Sequence, residues 1–139
     1  CPYMVHDHYI ALCCAGKGEI QSINRPLIRY RLHENNQTGI LMGVVDKASY
    51  ERVRIEAQVQ KFQWLSVYFP HRETLKGEIR QRLEWVQARK ENWNRRGGGA
   101  ALWRYRKFSP MTSLFELAAV WFPEWLFRIF VGLKRKNLI

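Results

Sequence analysis

The sequence is poor in the residues that build most catalytic and metal sites. Its 139 residues include only two aspartates, Asp7 and Asp46, and three cysteines, of which Cys13 and Cys14 are adjacent. No Cys-x-x-Cys pair occurs, which argues against zinc scaffolds, and neighbouring cysteines rarely form an unstrained disulfide. We therefore predict that Cys13 and Cys14 are small apolar residues on a buried helix. The lack of a disulfide framework favours a reducing, cytoplasmic environment.

Long uncharged apolar runs and phosphate-binding glycine loops are also missing. The most apolar stretch, Met111 to Leu133, is interrupted by two glutamates, by Pro123 and by Arg128. No segment therefore reaches the 18 or more apolar residues that indicate a membrane span. The glycines at 97–99 are not followed by the Lys-Ser/Thr of a P-loop.

Positive charge and apolar side chains are what the chain has in excess. The net charge is +11, and 47% of the residues are hydrophobic, which supports one ordinary domain with a sizeable core and excludes a disordered chain. Residues 71–139 hold 15 Lys/Arg against 6 Asp/Glu, whereas residues 1–70 hold 8 against 6. A basic surface in the second half suits an anionic partner, either a membrane surface or nucleic acid.

One helical pattern and two strand patterns occupy residues 1–45. Asp7 stands where it can cap a helix over residues 7–16. Apolar and polar side chains alternate over residues 19–24 and again over 27–32, which is the period of a β-strand. A short β-hairpin or meander is therefore predicted in this section.

Helical periodicity takes over further along the chain. Residues 49–69 carry apolar side chains on two faces, and residues 72–93 repeat them at helical spacing, so an antiparallel helical hairpin is predicted over 46–94. A basic, glycine-containing linker is predicted over 95–110. The predicted fold class is therefore α+β, mostly helical, with short strands before a helical C-terminal region.

Amphipathic helices are predicted for residues 111–139. Two interpretations of their apolar stripe stay open: it rests on an anionic membrane surface, or it packs on the helical hairpin as ordinary core. The stripe consists of Phe122, Leu126, Ile129, Phe130 and Leu133. The residues expected at a membrane surface are Trp121, Trp125, Lys134, Arg135 and Lys136.

Two residues of the N-terminal section are candidates for chemistry. Asp7 is either a helix cap or a general base, because a carboxylate within hydrogen-bond reach suits removal of a proton from a sugar hydroxyl. His33 follows the second predicted strand and is either a surface histidine or a metal ligand through a neutral ring nitrogen. The spacing of His6, His8 and His33 matches no strong zinc motif.

The order of these features resembles a known catalytic core. An Asp before a helix, glycines, the segment Asn-Arg-Pro-Leu-Ile-Arg-Tyr-Arg-Leu-His at 24–33, then Asn-Asn and Thr-Gly are similar to the end of the GT-A core in bacterial family-2 glycosyltransferases, especially rhamnosyltransferase-like members. The resemblance covers residues 3 to about 40. It implies that Asp7 is the catalytic base and that His33 helps hold a divalent metal, Mg or Mn, on the donor diphosphate. The substrate-binding residues it implies are Tyr30, Arg31, Asn35 and Asn36.

The resemblance further implies an inverting transfer of sugar from a nucleotide-sugar donor to a glycan or lipid-linked acceptor in cell-surface polysaccharide synthesis. Residues 1–45 would be the C-terminal end of the GT-A core. The sequence departs from the family where His6 replaces the usual Glu, and it has no Asp-x-Asp motif. Because it begins with Cys1, we read it as part of a longer enzyme, inactive by itself, at the inner face of the plasma membrane.

Two other functions stay open at this point. The first is a membrane-surface or protein-interaction helical module without catalysis. The second is a nucleic-acid-binding module, suggested by Arg104 and Arg106 beside Trp103 and Tyr105, since basic and aromatic residues together can bind single strands. The predicted partners are the sugar donor, the acceptor and an anionic membrane surface; nucleic acid is not among them.

Overall fold

The computed structural model describes residues 6–18, 20–27, 41–68 and 73–135, and these ranges are mostly helical without a strand. The predicted helical character is therefore confirmed, whereas the β part of the predicted class has no support in these ranges. In chain order the helices are α1 (His6–Lys17), α2 (Lys47–Tyr50), a π-helical segment (Glu51–Glu56), α3 (Ala57–Tyr68), α4 (Glu73–Trp93), α5 (Gly99–Arg104), a 3₁₀ turn (Arg106–Phe108), α6 (Pro110–Ala119) and α7 (Glu124–Arg135).

The first predicted strand, over 19–24, is wrong for the residues of that range that the structure describes. The N–H of Arg25 donates to the carbonyl of Ile23 (2.9 Å), a tight turn that interrupts any extended strand. Alternating side chains make a strand only against a partner and a core, and here Ile20 and Ile23 are exposed. The second predicted strand, over 27–32, lies outside the described residues except for its first position, which is not in a strand.

The long helix predicted over 49–69 is present and begins slightly earlier. Asp46 caps it: its carboxylate accepts a hydrogen bond from the N–H of Ser49 (2.8 Å). The Ser49 hydroxyl in turn accepts one from the N–H of Asp46 (2.9 Å), which completes a capping box. The α2 helix, the π-helical segment and α3 then follow one another without a break.

Only one of the two apolar faces predicted for this helix is buried. Ile55, Val59 and Phe62 lie in the core, whereas Ala57 and Val67 are exposed. α4 packs along the first face, whereas Val53 and Trp64 of the other face are only half-buried, Trp64 against Tyr9 of α1.

The α3 and α4 helices form the predicted antiparallel hairpin. Asn94, just beyond α4, donates to Glu51 (2.8 Å), and Lys90 pairs with Glu56 (2.6 Å). Residue numbers therefore increase along one helix as they decrease along the other, so the two helices are antiparallel. The buried face of α4 is wider than the predicted repeat, because α5 and α6 also pack on it. The buried residues of α4 are Ile79, Trp85, Val86, Ala88, Arg89, Asn92 and Trp93.

The segment predicted as a linker, 95–110, is packed into the structure. It contains α5, whose Leu102 is completely buried. The turn before α5 requires glycine at Gly98, where φ is +80° and a Cβ would lie 2.5 Å from the carbonyl oxygen of Ala88. A glycine run therefore indicates a close approach of two backbones here, not an extended linker.

Two clusters of apolar side chains make up the core. One lies between α3, α4 and α5 and comprises Val59, Phe62, Leu65, Ile79, Trp85, Val86, Ala88 and Leu102. The other joins the start of the long helix to the end of α4, α6 and α7, and comprises Val44, Tyr50, Ile55, Trp93, Ala119, Phe127 and Val131. Part of the last amphipathic helix is thus ordinary core.

Candidate functional site

Asp7, the predicted base, lies exposed in the first turn of α1. Its carboxylate accepts a hydrogen bond from the N–H of His8 (2.9 Å). The helix already begins at His6, so Asp7 lies inside the first turn, where the positive end of the helix dipole favours a negative charge. Its exposed carboxylate is accessible to a hydroxyl group from solvent.

The α1 helix is not the buried helix that the sequence predicted. Ile10 and Cys14 are exposed and Cys13 is half-buried. The helix attaches through its other side, where the hydroxyls of Tyr9 and Tyr68 lie 2.9 Å apart; this hydrogen bond raises the pKa of Tyr9. An apolar run thus lies at the surface, because the neighbouring α3 meets only one stripe of α1.

The remaining predicted N-terminal site residues lie outside the described residues, so their arrangement around Asp7 is not established. Within the described ranges, no group of three or more His, Cys, Asp or Glu side chains comes together to hold a metal ion. The residues outside are Tyr30, Arg31, His33, Asn35 and Asn36.

The α7 helix has two apolar sides with different surroundings. Phe127 and Val131 are buried in the second core cluster. On another side, large apolar residues at every fourth position are exposed. This exposed row, the α7 ridge, consists of Trp121 in the turn just before the helix and of Trp125, Ile129 and Leu133 on the helix, with exposed fractions of 72, 64, 52 and 37%. Of the predicted stripe, Ile129 and Leu133 are exposed and Phe122, Leu126 and Phe130 are half-buried. The membrane interpretation of the exposed part stays a prediction.

Cations lie beside the α7 ridge. The guanidinium of Arg95 stacks on Trp121, 5.0 Å from the ring centroid, and also donates to the carbonyl of Val120 (3.2 Å). Arg128 is exposed and is shared between Glu124 (3.3 Å) and Asp46 (3.8 Å). Of the predicted membrane-facing cations, Lys134 is half-buried, and Lys136 and the side chain of Arg135 lie outside what the structure describes.

A buried ion pair joins α4 to α6. Arg89 donates from Nε to Oε2 of Glu116 (2.8 Å) and from Nη2 to Oε1 (2.6 Å), and the hydroxyl of Tyr50 donates to Oε1 (2.8 Å). Burial would lower the pKa of Arg89, but the hydrogen bonds and charge of Glu116 outweigh it and raise that pKa. Burial and the nearby carboxylate raise the pKa of Tyr50. Both polar groups are satisfied, so the network is structural.

Next to this pair lies a cavity of about 880 Å³, here named the basic groove. Its walls include the aromatic rings of Phe62, Trp85, Phe115 and Phe130. Its charged lining residues besides Arg89 are Arg54, Lys61, Arg82 and Lys134. Burial, and to a lesser extent the charge of Arg82, lowers the pKa of Lys61.

Sequence reasoning missed both the buried pair and the basic groove. Glu116 interrupts an apolar run, which argued only against a membrane span; a lone carboxylate in such a run also indicates a buried cation as partner. Arg54, Lys61 and Arg82 come from two helices, so no local spacing brings them together. Pairing of the two helical faces in the predicted hairpin was the one available signal.

Comparison with protein-family models, with curated proteins and with solved structures gives no match for this chain. Among the described residues, no helix is long and apolar enough to cross a membrane. The surfaces described above are thus the basis for a functional assignment.

Proposed function

We propose that this chain is the C-terminal, membrane-surface part of a bacterial family-2 glycosyltransferase that transfers sugar from a nucleotide-sugar to a glycan or lipid-linked acceptor. The α7 ridge is the observation that carries the membrane-surface role. The glycosyltransferase role is supported by the sequence resemblance over residues 3 to about 40. On this proposal the complete enzyme acts at the inner face of the plasma membrane.

The physical argument for membrane binding is the exposure of four large apolar side chains, three on α7 and one in the turn before it, next to a helix side fixed to the core. Phe127 and Val131 anchor α7, so the ridge keeps one orientation and pays little conformational entropy on binding. Tryptophan at positions 121 and 125 suits the boundary between lipid headgroups and acyl chains. Arg95 stacks on Trp121 of the ridge and Lys134 follows Leu133 in sequence, so both cations lie where they can meet anionic headgroups.

Flotation with liposomes tests this role. The folded chain should float with anionic liposomes at low salt, float less as salt rises, and lose binding when Lys134, Arg135 and Lys136 become Gln. Trp125→Ser should also reduce binding. The matched control is Trp103→Ser, which removes another exposed tryptophan, 50% exposed against 64% for Trp125, from α5. A folded chain that ignores anionic liposomes at low salt would refute membrane-surface binding.

For the catalytic role, we propose that Asp7 is the general base of the complete enzyme. Its carboxylate would remove the proton of the acceptor hydroxyl as the nucleoside diphosphate departs from the opposite side, which inverts the anomeric carbon. Tyr30, Arg31, Asn35 and Asn36 would contact substrate, and His33 would help hold Mg or Mn. Such an ion, when bound, neutralises charge on the departing diphosphate.

The decisive variant is Asp7→Asn in the complete enzyme, which keeps the shape of the side chain and removes its basicity. Turnover should fall by about a hundredfold or more. Asp46→Asn makes the same chemical change at the cap of the long helix and should leave turnover within about twofold. Near-normal transfer by a folded Asp7→Asn enzyme would exclude Asp7 as the base.

A membrane-surface helical module without catalysis is the second candidate. The observation that favours it is the position of the α7 ridge and its anchoring cluster, which lie entirely in the helices after residue 41. It predicts that the complete protein binds liposomes but transfers no sugar from any nucleotide-sugar donor.

A further inference from the structure

We infer that the basic groove binds a single-chain lipid phosphate, a molecule with one long apolar chain and a phosphate head. This inference goes beyond the proposed function, because it depends neither on Asp7 nor on the α7 ridge. It rests on the aromatic walls of the groove and on the cations that line it.

The walls provide the surface for an apolar chain. The cavity of about 880 Å³ is within the range of small-molecule sites, which are concave and mostly apolar with a few polar groups. Phe115 and Phe130 stack with centroids 4.8 Å apart and form a continuous aromatic wall opposite Phe62. Met111 and Leu114 line the groove and are largely exposed, so the apolar surface is open to a ligand.

The charges at the edge select a phosphate head. Arg54, Lys61 and Arg82 form no ion pair with any residue in the described ranges. Arg82 is held in place against the ring of Phe108, 4.9 Å from its centroid. Three unneutralised cations exceed what one carboxylate compensates, whereas a phosphate monoester carries nearly two charges and three acceptor oxygens.

The low pKa of Lys61 is consistent with this assignment. It is lowered by burial and by Arg82, which means that the free groove holds cations against each other. Binding of an anion next to Lys61 and Arg82 offsets that repulsion. Arg89 also lines the groove, but Glu116 already satisfies it, so it contributes shape more than charge.

The groove also lies next to the membrane-facing side of α7. Phe130 and Lys134 line the groove, and Leu133 and Ile129 of the ridge are their neighbours on the helix surface. An amphiphile at a membrane surface thus meets apolar side chains continuously from the ridge into the groove. A peripheral position of the protein would bring the groove to its ligand.

Calorimetric titration of the 139-residue chain with dodecyl phosphate, below its micelle concentration, tests the inference. We expect saturable binding of one molecule per chain. Laurate, neutral dodecyl maltoside and inorganic phosphate should each bind about tenfold or more weakly, because each lacks the full charge or the chain. Equal binding of laurate would overturn the phosphate assignment, and equal binding of the maltoside would overturn the role of charge.

Variants locate the site. Lys61→Gln with Arg82→Gln should weaken dodecyl phosphate binding about tenfold or more, whereas Arg104→Gln, an exposed cation on α5 outside the groove, should not. Leu114→Glu should abolish binding, and Ala118→Glu, exposed one turn further along α6, should retain it. These residues are partly or largely exposed, and circular dichroism confirms that each variant is folded.

The outcome is separable from the proposed function. Trp125→Ser should impair flotation and leave dodecyl phosphate binding intact, and Lys61→Gln with Arg82→Gln should do the reverse. Absence of binding by the folded wild-type chain, or equal effects of the groove and control variants, would mean that the groove is not a lipid-phosphate site.

Discussion

The N-terminal section (residues 6–18 and 20–27) and the helical body (residues 41–68 and 73–135) are constrained in opposite ways. Residues 20–27 are exposed, and α1 touches the rest through one stripe containing Tyr9 and Leu12. The helical body has both core clusters and the buried ion pair. The difference teaches that the described residues of the N-terminal section are held by few contacts, whereas those of the helical body are held by packing.

If that contrast is right, the largest stability effect lies at the buried ion pair. Glu116→Gln leaves the charge of Arg89 buried without its partner and should cost about 3 to 5 kcal/mol of unfolding free energy, measured by urea denaturation. Glu56→Gln removes a carboxylate from the partly exposed pair with Lys90 and should cost less than about 1 kcal/mol. Equal losses would break the comparison.

Glu116→Gln can make the folded chain too unstable to measure. The double variant Arg89→Met with Glu116→Leu is therefore measured alongside it. Removing both charges restores an apolar contact between α4 and α6, so the double variant should recover most of the lost stability. A double variant as unstable as the single one would contradict the role given to the unpaired charge.

The turn before α5 gives the next largest effect. Gly98→Ala places a Cβ 2.5 Å from the carbonyl oxygen of Ala88 in a left-handed conformation and should cost about 2 to 4 kcal/mol. Gly97→Ala has the same sign of φ, but its Cβ meets no atom within 4 Å, so backbone strain alone should cost about 1 to 2 kcal/mol. Similar thermal unfolding curves for the two variants would show that the close approach does not matter.

The capping box gives a smaller effect with a distinct pH dependence. Asp46→Ala should lower the Tm by a few degrees at pH 7. Hydrogen bonds from Ser49 lower the pKa of Asp46 in the folded chain. Its contribution is therefore present above the unfolded pKa, near 4, and is lost as the pH falls through the folded value. The two Tm values should converge in that acidic range; a constant difference would rule out the charged cap.

Asp7 should give the smallest stability effect of all. Asp7→Asn changes an exposed residue whose carboxylate bonds only to the adjacent N–H of His8, and it should shift the Tm by no more than about two degrees. Scanning calorimetry on the isolated chain measures this. A large shift would show that the N-terminal section is held as firmly as the helical body.

The same contrast explains how much the sequence could predict. The helices at 47–68 and 73–93 were predicted because their signal is local: apolar residues at 3.6 spacing, a capping Asp46 and a break near Pro70. The strand over 19–24 failed because a strand depends on a partner elsewhere in the chain. The burial of Leu102 was missed because a glycine run favours both a linker and a tight turn, and only packing decides between them.

For the candidate sites, sequence could place individual residues but not their neighbours. The amphipathic character of α7 was predicted. Its buried side contains Phe127 and not the predicted Phe122, because α6 and the long helix pack against the side on which Phe127 lies. The basic groove needed the pairing of α4 with the π-helical segment, which no periodicity encodes. Asp7 was placed correctly at the start of a helix, and its proposed partners remain predictions.

The ion pair between Arg89 and Glu116 also restricts the history of this sequence. A substitution at only one of the two positions leaves an unpaired charge in the protein core. Such a chain is removed by selection unless the second alteration follows quickly. Among related sequences the two positions should therefore be substituted together or conserved together. Position 50 should vary with them, because the Tyr50 hydroxyl donates a hydrogen bond to the Glu116 carboxylate.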